Sequence, residues 1–398
     1  MRIAIVADAY PPLRSSGAVQ LRDLSREFAR QGHETTVLVA SPDLDKPYRI
    51  DQADGVTIAR LGSPPTKDIG YVRRMANEFR MPFAMMRNLK QSPIAGRGYE
   101  AIIWYSPTIF LGPIVRWLKR RNNCPSYLIL RDIFPQWAAD MGLISRGPAF
   151  YLLDAVAGYQ YRSADVIGVQ TPGNLEFFDD FRLRYPNCHV EVLQNWLGKA
   201  PDEACSIDLA GTALGGRRVF VYAGNMGVAQ QMDKLLDLAI ALRDRDDAGF
   251  LFVGRGSEAQ RLRDVATTQG LRNTMFHDEI APDEIPALYR QCHVGMISLD
   301  SRHKTHNIPG KFLTYMQAGL PVLASINAGN DLKTLVEDKR VGRVSVEPEG
   351  RDLPELATGM MEQEVRDDSM RRRCVDLSEN LFSARAAVEQ IVRSIGDR

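Results

Sequence analysis

The stretch His306-Asn307-Ile308-Pro309-Gly310-Lys311-Phe312-Leu313-Thr314-Tyr315-Met316-Gln317-Ala318-Gly319-Leu320-Pro321-Val322 reads as a loop, a helix, a tight turn and a strand. Pro309 and Gly310 do not suit a helix interior, whereas Lys311 to Ala318 form one with Phe312, Tyr315 and Met316 on one side. Gly319 fits the left-handed position that ends a helix, and Pro321 prevents its continuation. Leu320 to Ala324 is a short apolar run that suits a buried strand. A loop feeding a helix N-terminus with a lysine in the first turn can hold a phosphate, because free N–H groups and the helix dipole face the anion beside a full positive charge. An ordinary loop-helix-strand unit with a solvated lysine fits the same residues.

Working outward, the stretch closes a series in which strands and helices alternate. Strand Val219 to Tyr222 runs into the loop Ala223-Gly224-Asn225-Met226-Gly227 and a helix from about Gln231 to Arg243. Strand Phe250 to Val253 leads to Gly254-Arg255-Gly256 and a helix from Ala259 to Gln269, and strands Met275 to His277 and Val294 to Ser298 follow. An earlier series opens with strand Arg2 to Ala7, the loop Tyr10 to Gly17, a helix to about Gln31 and strand Thr35 to Ala40. It continues with strands Ala101 to Tyr105, Tyr127 to Leu130, Val166 to Gln170 and Val190 to Leu193, and the Gly-, Ala- and Asp-rich run from Leu197 to Arg217 reads as a linker. Two such series predict an α/β chain with two Rossmann-like, doubly wound domains facing a cleft, over residues 1–196 and 218–376.

The ligand edge of such a sheet lies beyond the carboxyl ends of its strands. In the first series that edge carries Gly17, whose loop can approach a ligand closely, and Asp132 in Arg131-Asp132-Ile133-Phe134-Pro135, as a base or a sugar-hydroxyl acceptor. In the second, Gly224 and Asn225, Arg255 and Pro309-Gly310-Lys311 put three glycine-bearing turns at one edge, which favours a nucleotide diphosphate. Neither G-x-G-x-x-G nor G-x-x-x-x-G-K-[ST] occurs, so NAD binding and ATP hydrolysis fit poorly, and no G-x-S-x-G elbow suggests a covalent nucleophile. Asp300, His303 and His306 share one loop without a second carboxylate or a cysteine, which suits hydrogen bonding to a substrate better than a metal site.

The five cysteines are scattered and never form C-x-x-C, so neither a disulfide framework nor a zinc site is indicated. No run approaches the ~20 apolar residues of a membrane span, and the sequence enters a strand at once, which predicts a cytoplasmic protein. The net charge of +1 hides 25 Lys and Arg against 19 Asp and Glu in residues 1–200. Within that half, Tyr71 to Gln91 reads as a helix with Arg73, Arg74, Arg80, Arg87 and Lys90 against the single acid Glu78, and with Pro82 expected to break or kink it. Such a helix can lie on an anionic bilayer or simply pack on its own domain.

Taken together, Met1 to Gly17, Asp132 to Pro135, Val192 to Trp196, Tyr222 to Gly227, Leu251 to Gly256 and His306 to Val322 resemble the retaining GT-B glycosyltransferases of the group-1 (GT4) family. The likeness extends to the bacterial branch that builds O-antigen, lipopolysaccharide and capsule, including N-acetyl-L-fucosamine transferases. It implies a nucleotide-sugar donor on the second domain, an acceptor on the first and a C-terminal helix, residues 377–398, returning to the first. Lys311 would bind the donor diphosphate with Gly224 and Asn225, and His277 would lie where the main chain receives the base. The family's E-x7-E pair falls at His306 and Thr314, and its Arg and Lys after the first turn's glycine fall at Asn225 and Gln230.

The implied activity is transfer of a hexosyl or N-acetylhexosaminyl unit, an N-acetylated deoxyhexose for this branch, from a UDP-sugar to a lipid-diphosphate-linked saccharide. No metal and no cofactor beyond the donor would be needed. Catalysis would fall to Lys311, Asp132 and His306, and donor binding to Gly17, Gly224, Asn225, Arg255, His277, Asn307, Pro309, Gly310 and Thr314. Peripheral contact with the inner membrane and no nucleic-acid partner would follow. A GT-B-shaped UDP-sugar epimerase and an inactive donor-binding subunit of a partner transferase are the alternatives, the latter motivated by Thr314 and His306.

Overall fold

The computed structural model of the chain describes every residue except 14, 67–68, 141, 301–307, 367–368 and 397–398. It divides into two compact units, Met1–Gly198 with Ala384–Arg398, and Lys199–Ser383.

The first unit is built on eight strands, β1 (Arg2–Ala7), β2 (Glu34–Ser41), β3 (Tyr48–Ala53), β4 (Val56–Gly62), β5 (Ala101–Tyr105), β6 (Ser126–Ile129), β7 (Val166–Val169) and β8 (His189–Val192). Their order is β3-β4-β2-β1-β5-β6-β7-β8, parallel throughout except between β3 and β4. A parallel sheet must be covered on both faces, and its central strands are accordingly apolar and buried, β1 from Ile3 to Ala7 and β5 from Ala101 to Tyr105. One face packs on Met81, Met85 and Leu89 of the helix Tyr71–Lys90. The other packs on Leu21, Leu24 and Phe28 of the helix Ser16–Arg30 and on Ala387, Val388, Ile391 and Ile395 of the helix Ala384–Gly396. Glu191 on β8 fastens that last helix by accepting hydrogen bonds from Gln390 Nε2 at 3.0 Å and Ser394 Oγ at 2.8 Å.

The break expected at Pro82 does not occur: the helix runs through it, with Pro82 buried between Met81 and Met85. Burial of that apolar face on the sheet offsets the main-chain bond that proline cannot make. The same packing accounts for the buried methionines of this helix, while Phe83 on its other side is 58% exposed.

The second unit is built on β9 (Arg218–Ala223), β10 (Ala248–Val253), β11 (Thr274–His277), β12 (Val294–Ser298), β13 (Val322–Ser325) and β14 (Gly342–Ser345). The order β11-β10-β9-β12-β13-β14 is all parallel and corresponds to the 3-2-1-4-5-6 arrangement of a dinucleotide-binding sheet. Phe220, Tyr222, Phe250 and Phe252 from two adjacent strands pack with Leu235 and Leu238 of the helix Asp233–Ala241. Residues 199–217 belong to this unit, with the Ser206 N–H bonded to Glu284 Oε2 at 2.6 Å and the Leu209 N–H to Gln291 Oε1 at 2.9 Å.

The stretch His306 to Val322 contributes the helix Gly310–Gln317, which starts one residue earlier than expected because Pro309 in an extended conformation serves as its cap. Gly319 ends it at φ +68°, the left-handed conformation glycine tolerates.

Candidate active site

Where strand order reverses in the second sheet, beside β9, the turns after β9 and β10 and the loop after β11 surround a pocket of about 590 Å³. Glycine makes the turns fit each other. Gly224 and Gly254 both have φ +139°, and a Cβ on Gly254 would overlap the Gly224 carbonyl. The two turns are joined in the sheet's own pattern, with the Gly224 N–H bonded to the Val253 carbonyl at 2.8 Å, Met226 N–H to Arg255 at 2.8 Å and Gly254 N–H to His277 at 3.0 Å.

Bare main chain at Gly224 is also what admits Lys311. A Cβ there would lie 2.8 Å from Lys311 Cε and 2.9 Å from Nζ, so the side chain crosses the turn directly over the glycine. The ammonium sits 4.7 Å from the centre of the Tyr222 ring, a cation–π contact. Burial lowers its pKa below the ordinary lysine value. No carboxylate pairs with it among the described residues. A partly desolvated cation without a counterion favours an incoming anion. The helix behind it has no side-chain cap, so its dipole and first N–H groups point the same way.

Tyr315 holds this helix in register. Its hydroxyl lies 3.1 Å from the carbonyls of both Val221 on β9 and Met296 on β12, and Gly295 leaves room for the ring, which any Cβ would overlap. Thr314 lines the pocket, but its hydroxyl donates to the Lys311 carbonyl of its own helix at 2.9 Å. The carboxylate in the pocket wall is instead Glu279, paired with Arg255 at 2.9 Å.

The structure therefore brings Gly224, Asn225, Arg255, Gly310, Lys311 and Thr314 into one wall, with Pro309 capping the helix behind them. The Asn225 side-chain Nδ2 donates to Gln230 Oε1 at 3.3 Å, and the main-chain carbonyl of Asn225 accepts from the Tyr222 hydroxyl at 2.6 Å. His277 is placed differently. Its carbonyl is used by Gly254, its Nδ1 lies 2.9 Å from the Asp278 carbonyl, and Glu279 and Ile280 form the wall on that side. His306 and Asn307, with His303, lie outside the described residues. Among the described residues no group of three His, Cys, Asp or Glu could hold a metal ion.

Gly17 and Asp132 belong to the first unit. Gly17 is in the first turn of a helix rather than in the preceding loop, and the close approach it allows is to Tyr105, whose Cε1 a Cβ would meet at 3.1 Å. Asp132 follows β6; burial raises its pKa, against the pull of Arg131.

The chain matches two family descriptions, "Glycosyl transferase 4-like domain" over residues 17–196 and "Glycosyl transferases group 1" over residues 217–362. It belongs to the group-1 glycosyltransferases. This glycosyltransferase is 23% identical over 385 residues to WcaI of Escherichia coli strain K12, a glycosyl transferase named for colanic acid biosynthesis, covering 88% of this chain and 89% of that one. Among solved structures, HepE of Anabaena in complex with UDP has a TM-score of 0.65 at 14% identity over 100% of both chains. WaaG, a glycosyltransferase involved in lipopolysaccharide biosynthesis, has a TM-score of 0.61 at 15% identity over 99% of both. These likenesses establish the α/β fold of two parallel-sheet domains shared by GT-B glycosyltransferases.

Within this glycosyltransferase the sequence reading missed Tyr222 and Glu279. Tyr222 ends an apolar strand and reads as core, and nothing local to Glu279 separates it from the solvated acids around it.

Proposed function

We propose that this glycosyltransferase moves a sugar from a UDP-sugar to a lipid-diphosphate-linked saccharide in bacterial surface-polysaccharide synthesis, with retention at the anomeric carbon. The observation that carries the proposal is Lys311, uncompensated and partly desolvated, lying over Gly224 at a helix N-terminus that no side chain caps. UDP is supported by the HepE neighbour, solved with that nucleotide, and the biosynthetic setting by the names of WcaI and WaaG. An N-acetylated deoxyhexose follows from the branch that the sequence resembles.

In this mechanism the diphosphate rests on Lys311 and the helix N-terminus, and Ile280, Pro282 and Ile285 offer the base an apolar wall. The bond between the anomeric carbon and the diphosphate oxygen breaks as the acceptor hydroxyl oxygen bonds to that carbon from the same face. The hydroxyl proton passes to the departing diphosphate oxygen. Negative charge grows on the leaving group, and one preorganised positive contact there is worth roughly 3–4 kcal/mol. No metal and no cofactor beyond the donor enter these steps.

The acceptor's lipid places the enzyme on the cytoplasmic face of the inner membrane in peripheral contact. Arg73, Arg80, Phe83, Arg87 and Lys90 form one exposed stripe on the helix Tyr71–Lys90, and Tyr71 and Val72 at its start are 88% and 87% exposed. Among the described residues no helix is long and apolar enough to cross a membrane.

Mass spectrometry of products from a panel of UDP-sugars with a short-chain lipid-diphosphate saccharide tests the activity. One donor should add a single sugar to the acceptor. An isomerised sugar nucleotide from donor alone would make the protein an epimerase, and UDP binding without transfer to any acceptor would make it a supporting subunit. Co-sedimentation with anionic liposomes should fall when Arg73, Arg74, Arg80 and Arg87 are replaced by Gln, and unchanged sedimentation would remove the membrane contact.

A further inference from the structure

The first unit carries a guanidinium that its own residues leave incompletely paired. Arg131 stands two residues beyond the end of β6 and is 7% exposed. Its Nη1 donates to the Leu193 carbonyl at 2.8 Å, and its guanidinium carbon lies 4.9 Å from the centre of the Trp196 ring. Nε and Nη2 are covered from solvent and have no hydrogen-bond partner. Their N–H bonds lie in the guanidinium plane and point off one edge, the edge that grips a carboxylate or phosphate through two parallel bonds. A permanent charge buried with two donors unused is costly unless something occupies them.

The surroundings do not supply that occupant. Asp132 is the next residue in the chain, yet it forms no ion pair with Arg131. Gln20 is engaged elsewhere, its Oε1 accepting from the Tyr105 hydroxyl at 2.8 Å and its carbonyl from the Trp196 indole N–H at 2.8 Å. Two further buried oxygens, on residues that follow strands of the same sheet, also lack partners. One is Ser106 Oγ, on a residue whose N–H bonds to Ile129 at the end of β6 at 3.0 Å, and the other is Asn195 Oδ1, next to Trp196 in the chain. These residues follow β5, β6 and β8, and the order of this sheet reverses between β1 and β5, where doubly wound sheets bind their ligands.

Taking the acceptor's role from the transferase reading above, we propose that the Nε–Nη2 edge of Arg131, with Ser106 and Asn195 beside it, recognises an oxyanion on the acceptor. The oxyanion is a carboxylate of an acidic sugar or a phosphate of the lipid carrier. Its entry requires a covering side chain to turn aside, and the Ser106 hydroxyl and Asn195 carbonyl are held by no bond.

The test uses the full chain carrying Lys311→Ala, so that the second unit's cation cannot capture the probes. Methyl glucuronide, glucose 1-phosphate and the neutral methyl glucoside are titrated and followed by saturation-transfer NMR. At least one anionic probe should bind in preference to methyl glucoside, and which one does identifies the source of the oxyanion. Adding Arg131→Lys, which keeps the charge but not the fork, should weaken that binding by roughly tenfold or more, the worth of one charge-assisted bidentate pair. Asn195→Asp, which offers the edge a carboxylate of its own, should weaken it too and serves if the lysine variant fails to fold. Anionic probes that bind no better than methyl glucoside, or binding that survives both substitutions, would overturn the proposal. UDP affinity is measured separately on the chain with Lys311 intact; its absence would defeat the donor reading and leave the Arg131 result standing.

Discussion

Lys311 and Arg131 both stand just beyond the carboxyl ends of parallel strands, but the two units hold their cations in opposite ways. Lys311 lies over bare main chain, Gly224, at the border of a pocket of about 590 Å³. Arg131 is wedged between the Leu193 carbonyl and the Trp196 ring, with its free edge covered. The first arrangement is made by backbone conformation, which glycine permits at φ +139° and few other residues do. The second is made by side chains packing on one another. An open, main-chain site is ready for any ligand with the right charge, whereas a covered side-chain site admits only one that can replace what covers it.

The contrast between the two cations is most exposed to test at Lys311. Lys311→Ala should lower turnover by roughly 10²–10³-fold, the cost of losing one group that stabilises leaving-group charge, with a melting temperature no lower than that of the parent; full activity would remove Lys311 from the site. Gly254→Ala should cost roughly 2–3 kcal/mol of stability in denaturant titration, since the left-hand φ and the Gly224 carbonyl both oppose a Cβ. A third outcome concerns pH. Because burial lowers the pKa of Lys311, its charge penalises the folded state below that depressed value, and the penalty fades as pH rises toward the value of an unfolded lysine. UDP affinity runs the other way. Calorimetry should show it falling, on the order of tenfold, as pH rises through the depressed value, while Lys311→Arg should flatten the decline. The smallest effect belongs to the first unit. Gly17→Ala places a Cβ 3.1 Å from the Tyr105 ring in a helix that favours alanine, and the two effects should cancel to within about 0.5 kcal/mol.

What the sequence makes legible follows the same division. Strand-turn-helix alternation and glycine placement reveal both sheets and the turns at Gly224 and Gly254, because backbone requirements leave local marks. The continuity of the helix through Pro82 is not legible, since burial against a sheet far away in sequence outweighs a local preference. Tyr222 under the Lys311 ammonium and Glu279 in the lining of the same pocket are likewise hidden, because their roles depend on which strands become neighbours. Arg131 is visible only as a charge after a strand, and its unused edge appears once Leu193 and Trp196 are beside it.

The helix Ala384–Gly396 has a consequence for how the chain is made. Its residues Ala387, Val388, Ile391 and Ile395 complete the core of a unit whose sheet is otherwise contained in residues 1–198. At 5–20 residues per second, roughly ten to forty seconds of translation separate the end of that sheet from the arrival of this helix. During that interval the nascent first unit carries an uncovered apolar groove beside Leu21, Leu24 and Phe28. A truncated chain ending at residue 198 would keep that groove permanently and should associate with itself or with chaperones, whereas a chain in which residues 384–396 follow residue 198 through a flexible linker should remain dispersed.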